Sequence, residues 1–292
     1  MTDLSVTQPE GLGLEGRCIL VTGAGRGLGR AHALLLARHG ARVVVHDAGV
    51  EKTGLSPDPA IAEEVAAEIA EQGGEAMAVT ELLDGAAACR RAVEAGLERF
   101  GRLDGLIHSA GLVAWCDSAE VDEALYRRVT AVNSDAAFWL CAAALPAMRQ
   151  AGFGRILLTT SGWALGGYPG SGELALYCHG KGAQLGLAMA LARDAGHPEI
   201  FCNLLSPVAN TRMYSGAVPP GRLRPEAVAG AAAWLVSPAC RLTGSLVKAQ
   251  DGSLTLSRLT DGESLDLGAA ADDPVSAGRA LTSLAEASTA AA

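Results

Sequence analysis

Short apolar runs alternate with segments of helical periodicity along most of the chain. RCILVT at 17–22 is followed by a glycine-rich turn, by AHALLLARHG with apolar residues at helical spacing, and by the second apolar run ARVVVHD. The alternation continues with predicted strands at EAMAVT, LDGLIHSAG, GRILLTT, EIFCNLLSP and SLVKAQ, and predicted helices near 60–74, 84–101, 121–150, 174–195 and 225–236. Strands that are apolar on both faces and separated by helices need crossover connections, so they predict a mostly parallel sheet covered on both faces.

The pattern predicts an α/β chain with a single doubly wound Rossmann domain, about seven strands, and helices on both faces of the sheet. This domain is expected over residues 16–252. Residues 1–15 are expected to be a flexible N-terminal segment. The Asp, Gly, Ser and Ala content of residues 253–292 indicates a tail that is partly helical or mobile, with one weak helix at VSAGRALTSLAEAS.

Composition and charge exclude several classes of function. Of the 292 residues, 49% are hydrophobic and 19% are charged, and no apolar run is long enough to suggest a membrane span. The N-terminus has no basic segment followed by an apolar stretch, which predicts a cytoplasmic protein. The net charge of −9 and the lack of a basic cluster argue against nucleic acid as a partner. Seven cysteines without a CxxC pair predict reduced thiols and no metal site.

The segment TGAGRGLGR places Gly23, Gly27 and Gly29 between a predicted strand and a predicted helix. Glycines at such a turn let the backbone approach a pyrophosphate, whose charge is met by free N–H groups at the helix N-terminus. A glycine-rich string alone is weak support, because many such strings are only turns. The strand before it and the helix after it make this turn a candidate dinucleotide site.

Asp47 ends the second apolar run, at the position where an acid can accept hydrogen bonds from an adenosine ribose and repel a 2′-phosphate. This favours NAD(H) as the cofactor. Arg26, in the glycine turn, could instead hold a 2′-phosphate, so NADP(H) is not excluded. The alternative interpretation of Asp47 is that it only starts a loop.

Tyr177 and Lys181 stand four residues apart in a predicted helix, in a chain with four tyrosines and three lysines. An unperturbed tyrosine, with a pKa near ~10, is a poor base at neutral pH. A lysine one helical turn away lies on the same face, where its charge would lower the pKa of the phenol. The alternative is a solvated helix face without chemistry.

Taken together, the motifs resemble the short-chain dehydrogenase/reductase family over about residues 14–252. They are Thr22-Gly23-xxx-Gly27-x-Gly29, Asn133 in VTAVNSDAAF, Ser161 in ILLTTSGWALGG, Tyr177 with Lys181, and NLLSPVANTRM, in the family's order. The segments around the glycine turn and at SPVANTRM are similar to the branch of hydroxyacyl-CoA dehydrogenases found in multifunctional β-oxidation enzymes.

The resemblance implies a role for each of four catalytic residues. Tyr177 would be the general acid/base, and Lys181 would lower its pKa and hold the nicotinamide ribose. Ser161 would hydrogen-bond the substrate oxygen, while Asn133 would bend the long helix and hold a water that relays protons to Lys181. Cofactor contacts are implied for Thr22, Gly23, Arg26, Gly27, Leu28, Gly29, Asp47, Glu81, Leu82, Ser109, Ala110, Gly111, Tyr177, Lys181, Pro207, Val208 and Thr211.

The sequence departs from the family's pattern at three places. His108-Ser109-Ala110-Gly111 replaces the usual Asn-Asn-Ala-Gly. The acid expected to meet adenine would be Glu81, with Asp84 as a substitute. Ser161 and Tyr177 are separated by more than the roughly thirteen residues usual in relatives, which implies a bulged loop between them.

Loops after the fourth, fifth and sixth strands would form the substrate pocket, with Trp115, Trp163, Tyr168, Met213 and Tyr214 in its walls. This set favours a flat or apolar substrate. The expected function is an NAD(H)-dependent alcohol dehydrogenase or ketoreductase of secondary metabolism or acyl oxidation, acting on a small molecule or acyl thioester. Alternatives are a non-redox dehydratase, epimerase or cyclase, or a non-catalytic NAD-binding protein. Alanine-rich helices predict a homodimer or homotetramer.

Overall fold

The structure is a computed structural model that describes residues 11–52, 54–166, 172–214, 216–257, 264–267 and 272–290, with side chains up to residue 284. Within these residues one sheet of eight strands forms the centre of the fold. The strands are β1 Cys18–Thr22, β2 Arg42–His46, β3 Glu75–Val79, β4 Gly105–His108, β5 Gly154–Thr159, β6 Ile200–Val208, β7 Leu246–Gln250 and β8 Ser253–Ser257.

Helices alternate with these strands as the apolar periodicity predicts. They are α1 Gly27–Arg38, α2 Ala60–Glu71, α3 Ala86–Phe100, α4 Glu123–Thr130, α5 Ala136–Ala151, α6 Ala175–Arg193, α7 Glu226–Leu235 and α8 Pro274–Ala290. The helix expected over 121–150 is interrupted by a π-helical turn at Ala131–Asp135 between α4 and α5. Short 3₁₀ turns at Trp163–Leu165 and Gly172–Leu174 precede α6.

The strand order is β3-β2-β1-β4-β5-β6-β7-β8. The pairs from β3 to β7 are parallel, whereas β8 pairs antiparallel with β7, with Leu246 opposite Ser257. The doubly wound, mostly parallel α/β fold predicted from the sequence is confirmed, with one strand more than the expected seven. The additional strand, β8, lies in the segment that the composition assigned to the tail.

Alternation along the buried strands produces two apolar layers. Ile19 and Val21 face the layer that includes residues of α1, α2 and α7. Cys18 and Leu20 face the opposite layer, with residues of α3, α5 and α6. Because both faces of each central strand are covered, the strands are continuously apolar in sequence instead of alternating with polar residues.

The chain divides into two compact units, residues 1–257 and 258–292. The first unit therefore ends five residues after the boundary expected at 252. Leu14 belongs to the buried core, although the sequence assigned it to the flexible head. In the second unit, the helix expected at 275–288 is present as α8 Pro274–Ala290. Among the described residues, no helix is long and apolar enough to cross a membrane.

Parallel strands place their carboxyl ends at one edge of the sheet. The strand order reverses between β1 and β4: β2 and β3 lie on one side of β1, whereas β4 and the later strands lie on the other. In doubly wound sheets this is where ligands bind. The residues that follow β1, β2, β4, β5 and β6 consequently meet at this edge.

Candidate active site

A cavity of about 850 Å³ opens at the carboxyl edge of the sheet. Predicted residues in its wall are Gly23, Arg26, Gly27, Leu28, Gly29, Asp47, Leu82, Ser109, Ala110, Gly111, Trp115, Ser161, Trp163, Tyr177, Lys181, Pro207, Val208, Thr211, Met213 and Tyr214. Segments as distant in sequence as the glycine turn and the loop after β6 thus share one cavity. Tyr168, predicted to lie in the substrate pocket, is outside the described residues.

The glycine turn connects β1 to α1 by a path that needs glycine. Gly23 and Gly27 have φ values of 68° and 53°, in the left-handed region that glycine adopts without a steric penalty. A Cβ on Gly29 would lie 2.1 Å from the carbonyl oxygen of Gly23. No side chain of the described residues caps the N-terminus of α1, so its first N–H groups are free to meet an anion. This cradle fits the pyrophosphate of a dinucleotide.

Asp47 joins the glycine turn to the loop after β2. Its Oδ2 accepts a hydrogen bond from the N–H of Gly25 at 2.9 Å, and its Oδ1 accepts one from the N–H of Gly49 at 2.8 Å. A carboxylate offers about four acceptor positions, so acceptor capacity is left for ribose hydroxyls. Asp47 therefore organises its loop and lies in the cavity wall at the same time.

Two guanidinium groups meet beside Asp47. Nη1 of Arg26 donates to the carbonyl oxygen of Val50 at 3.3 Å, and Nη1 of Arg212 donates to the same oxygen at 2.7 Å. Burial and the charge of Arg26 lower the pKa of Arg212, while Asp47 raises it. Arg26 was predicted from the glycine turn, whereas Arg212 was not predicted, although it lies within the NLLSPVANTRM motif.

The turn after β4 is fixed by Thr22 and His108. The Nε2 of His108 lies 3.0 Å from the carbonyl oxygen of Val132, and its Nδ1 lies 2.9 Å from Oγ1 of Thr22. A carbonyl only accepts, so Nε2 carries the proton and Nδ1 accepts from the threonine hydroxyl. Oγ1 of Thr22 also accepts from the N–H of Ala110 at 3.3 Å. Thr22 is fully buried and supports the turn from behind instead of lying in the cavity wall.

Tyr177 enters the cavity from the first turn of α6. Burial raises the pKa of its phenol, a hydrogen bond with Ser161 opposes this shift, and Cys178 adds to it. This direction is opposite to the one that the Tyr177–Lys181 spacing predicts. The phenol is therefore a proton donor at neutral pH.

Lys181 is buried and points to the end of β5. Its Nζ donates to the carbonyl oxygen of Thr159 at 2.9 Å, and its own carbonyl oxygen accepts from Oγ1 of Thr160 at 2.9 Å. Burial lowers the pKa of Lys181 to about 8. A Cβ on Gly111 would lie 3.1 Å from the Nζ. The ammonium thus lies close to the turn after β4, with the cavity beside it.

Asn133 lies at the centre of the π-helical turn and is fully buried. Its side chain bonds both backbone groups of Leu112, accepting from the N–H at 2.8 Å and donating to the C=O at 2.8 Å. Its own carbonyl oxygen accepts from Nε2 of Gln184 at 2.7 Å. The long helix is interrupted at Asn133 by this π-helical turn, where a bend was expected. Gln184 takes one acceptor position on the Asn133 carbonyl, which is a candidate to hold a relay water.

Glu81 does not reach the cavity wall, contrary to the prediction that it meets adenine. Its carboxylate is paired with Arg91 of α3, whose Nε donates to Oε2 at 2.9 Å. The ion pair turns the carboxylate toward the exposed side of α3. Leu82 and Leu83 line the cavity at this point instead, which suits an apolar contact with a flat ring.

Four aromatic or sulfur-bearing side chains surround the outer part of the cavity: Trp115, Trp163, Met213 and Tyr214. Trp115 and Tyr214 are 47% and 41% exposed, which is unusual for side chains of this size. Further wall residues that the sequence analysis missed include Val50, Thr159 and Gln250. No local motif distinguishes them, since each reaches the wall only through the packing of its strand or loop.

Comparison with known proteins agrees with this arrangement. A family model described as short chain dehydrogenase matches residues 17–217. The peroxisomal multifunctional enzyme type 2 of Drosophila melanogaster is 34% identical over 265 residues, covering 89% of this chain and 43% of that protein. A short-chain type dehydrogenase/reductase of Mycobacterium tuberculosis is 35% identical, covering 78% of this chain and 80% of that protein. A hydroxynaphthalene reductase-like protein of Metarhizium robertsii is 36% identical, covering 69% and 71%.

Solved structures show the same relationship. A short chain dehydrogenase from Mycobacterium avium superposes with a TM-score of 0.81 at 32% identity, covering 94% of this chain and 96% of that chain. The full-length multifunctional enzyme type 2 from Drosophila melanogaster gives a TM-score of 0.73 at 26% identity, covering 92% of this chain and 45% of that one. The chain thus spans less than half the length of this multifunctional relative. From the family match, the sequence identities and the shared fold, the chain belongs to the short-chain dehydrogenase/reductase family.

Proposed function

We propose that the protein is an NAD(H)-dependent oxidoreductase that interconverts a secondary alcohol and a ketone. The observation that carries this proposal is that Tyr177 and Ser161, close enough for Ser161 to act on the phenol, line the same cavity as the glycine turn. A phenol and a hydroxyl that meet beside a dinucleotide cradle can bind one substrate oxygen between them and exchange a proton with it.

The protein's residues supply the proton chemistry. In the reduction direction, Tyr177 donates its proton to the ketone oxygen, and its raised pKa keeps the phenol protonated for this step. In the oxidation direction, the hydroxyl proton returns to the phenolate. Ser161 hydrogen-bonds the substrate oxygen in both reduction and oxidation. When bound, the nicotinamide ring supplies or accepts the hydride at the carbinol carbon.

Lys181 and the glycine turn would hold the cofactor. With a pKa of about 8, Lys181 is mostly protonated at pH 7 and can donate to the nicotinamide ribose hydroxyls. Asp47 supports NAD(H) over NADP(H), because a carboxylate accepts from the adenosine ribose and repels a 2′-phosphate. Measuring the affinities of the wild-type protein for NADH and NADPH tests this preference. We expect NADH to bind more tightly than NADPH.

The outer cavity supports a fairly apolar or aromatic substrate. Trp115, Trp163, Met213 and Tyr214 offer flat or polarizable surfaces to such a molecule. An aromatic ketone is favoured by the relative named as hydroxynaphthalene reductase-like. An acyl thioester is favoured by the resemblance to the hydroxyacyl-CoA dehydrogenase branch.

The test is turnover of candidate ketones with NADH, followed by loss of the reduced nicotinamide absorbance. Replacing Tyr177 by Phe should lower turnover by about a hundredfold or more, the usual size of a general-acid contribution, and leave the affinity for NADH unchanged. Retained activity in Tyr177→Phe would refute its role as the acid. Substrate conversion without a change in the cofactor spectrum would indicate the non-redox alternative.

Location and assembly stay predictions. The sequence favours the cytoplasm, whereas the multifunctional relatives are named as peroxisomal. A homodimer or homotetramer is supported by Phe138 and Trp139 on α5, which are 50% and 40% exposed and lie edge to face with ring centroids 5.0 Å apart. Light scattering of the purified protein checks the assembly, and a monomeric mass would contradict it.

A further inference from the structure

Arg212 and its hydrogen-bond partner Val50 follow strands on opposite sides of the sheet. It follows β6, whereas the carbonyl oxygen of Val50, to which its Nη1 donates at 2.7 Å, follows β2. These strands lie on opposite sides of the β1–β4 pair where the sheet order reverses. The loop after β6 is therefore tied to the loop after β2 at the place where a dinucleotide crosses the sheet.

The position of the neighbouring residue shows which part of a dinucleotide this loop faces. A Cβ on Gly27 would lie 3.1 Å from Cγ2 of Thr211, so the loop packs against the first residue of α1. The free N–H groups at this helix end are the binding site for a pyrophosphate. Arg212 follows Thr211 directly and lies in the cavity wall.

The charges around Arg212 leave a place for an anion. Arg26 and Arg212 share one uncharged acceptor, the carbonyl of Val50, through one nitrogen each. Each guanidinium carries five N–H donors, and among the described residues only one nitrogen of each is engaged. Arg26 weakens the proton affinity of Arg212, as expected for two cations close together. A bound phosphate group would relieve this repulsion and accept two charge-assisted hydrogen bonds.

We propose that Arg212, together with Arg26, binds the pyrophosphate of the dinucleotide opposite the N-terminus of α1. The inference rests on dinucleotide binding under the proposed function. A 2′-phosphate is the other phosphate that such a pair could bind. The carboxylate of Asp47 lies close enough to Arg212 to raise its pKa. Its negative charge disfavours binding of the doubly charged 2′-phosphate beside the adenosine ribose.

The test is equilibrium binding of NADH, NADPH and adenosine to the full-length protein and to Arg212→Ala. The variant should bind NADH and NADPH each about tenfold more weakly, the usual effect of losing a hydrogen bond to a charged group. Adenosine, which has no phosphate, should bind both proteins equally. Arg212→Lys should fall between the two, because it keeps the charge but lacks the planar fork of donors.

Arg241→Ala is the matched control. This arginine is 70% exposed, pairs with Glu199 and lies outside the cavity wall, so its removal should leave all three affinities unchanged. Thermal unfolding of each variant checks that the fold is retained.

Three outcomes would overturn the assignment. Weakening of NADPH alone would place the guanidinium pair on the 2′-phosphate. An equal loss of affinity for adenosine in Arg212→Ala would show that Arg212 only shapes the nucleoside pocket. An unchanged affinity for NADH would show that Arg212 makes no phosphate contact. All of these readouts are binding constants measured without substrate. A protein that binds NADH through Arg212 but turns over no alcohol or ketone would refute the proposed function and leave this inference intact.

Discussion

Single buried side chains set proton affinities in and around the cavity. Burial lowers the pKa of Lys181 to about 8, and burial together with the charge of Lys181 lowers the pKa of His108 to about 3. The imidazole of His108 is therefore neutral at every pH at which the protein is expected to work. That neutral state is what allows Nδ1 to accept from Thr22 while Nε2 donates to Val132.

His32 makes a prediction about stability and pH. It is buried in α1, and burial lowers its pKa from 6.5 to about 4. The unfolded chain binds the proton more readily, so stability is fully present above pH 6.5 and is lost as the pH falls toward 4. Between pH 7 and pH 5 this histidine alone should cost about 2 kcal/mol of unfolding free energy. The histidines His46 and His108 act in the same direction.

Replacing His32 by Leu should remove that part of the pH dependence. Among the described residues neither ring nitrogen of His32 has a hydrogen-bond partner, so an apolar side chain of similar size should also raise stability at pH 7 by about 1 kcal/mol. Urea unfolding at pH 7 and pH 5 measures both effects. His39→Leu, at an exposed position, should keep the wild-type pH dependence. If His32→Leu and the wild type lose stability in parallel, the buried-histidine explanation is wrong.

At the scale of the residue, spacing identified the groups but not their partners. Tyr177, Ser161, Lys181 and Asn133 all converge near one cavity, as the motif order indicates. The direction of the Tyr177 pKa shift was predicted wrongly, because it depends on burial and on Ser161 more than on the helical neighbour. Glu81 was also predicted wrongly, since an arginine of α3 holds its carboxylate.

At the scale of the element, the contact between α6 and the π-helical turn positions Tyr177 and Lys181, the residues of α6 that are proposed to be catalytic. α6 approaches this turn at Gly180, where a Cβ would lie 2.5 Å from Cβ of Asn133. The close approach places Tyr177 and Lys181, on either side of Gly180 in the sequence, next to Asn133. Gln184 adds a hydrogen bond to the carbonyl of Asn133 one turn further along the helix.

Gly180→Ala should therefore push α6 away from the turn. We expect a loss of about 1–3 kcal/mol in unfolding free energy, the usual cost of overpacking, together with lower turnover. Gly186→Ala in the same helix is the control, because no described atom lies within 4 Å of its added Cβ. That substitution should stabilise the protein by up to about 1 kcal/mol through helix propensity. Urea unfolding distinguishes the two, and equal effects would contradict the proposed contact.

The helices and strands themselves were largely predictable. The strands β1 and β2, which precede the glycine turn and follow α1, and the helices that cover the sheet follow from local periodicity. The break at 131–135 was expected only through the resemblance, since VTAVNSDAAF has no proline or glycine to interrupt a helix. The strand at 253–257 was missed because its alternating pattern, SLTLS, belongs to an edge strand with little burial.

At the scale of the whole molecule, the described cavity residues all lie between Gly23 and Gln250. They belong to the first compact unit, which ends at residue 257 and includes the sheet from β1 to β8. The strand β8 covers the outer edge of β7, which would otherwise expose unpaired backbone groups.

A chain that ends at Ser257 should keep its fold and its affinity for NADH. A chain that ends at Gly252 lacks β8, so it should be less stable and more prone to aggregate through the exposed edge of β7. Thermal unfolding and NADH binding of the two truncated proteins measure the difference. If the shorter protein matches the longer one, β8 has no part in the stability of the sheet. If the longer one fails to fold, residues beyond 257 are needed for the first unit.

Taken by itself, the sequence determined the order and type of the elements, the position of the glycine turn and the catalytic candidates, because periodicity, glycine placement and helical spacing act over a few residues. Only the tertiary structure decided the partners of Lys181, Asp47, Glu81 and Arg212. It also decided the burial of Tyr177, which raises the pKa of the phenol. Those partners come from segments far away in the chain, and burial depends on how the whole sheet and its helices pack. Interactions of this kind leave no local signal in the sequence from which they could be read.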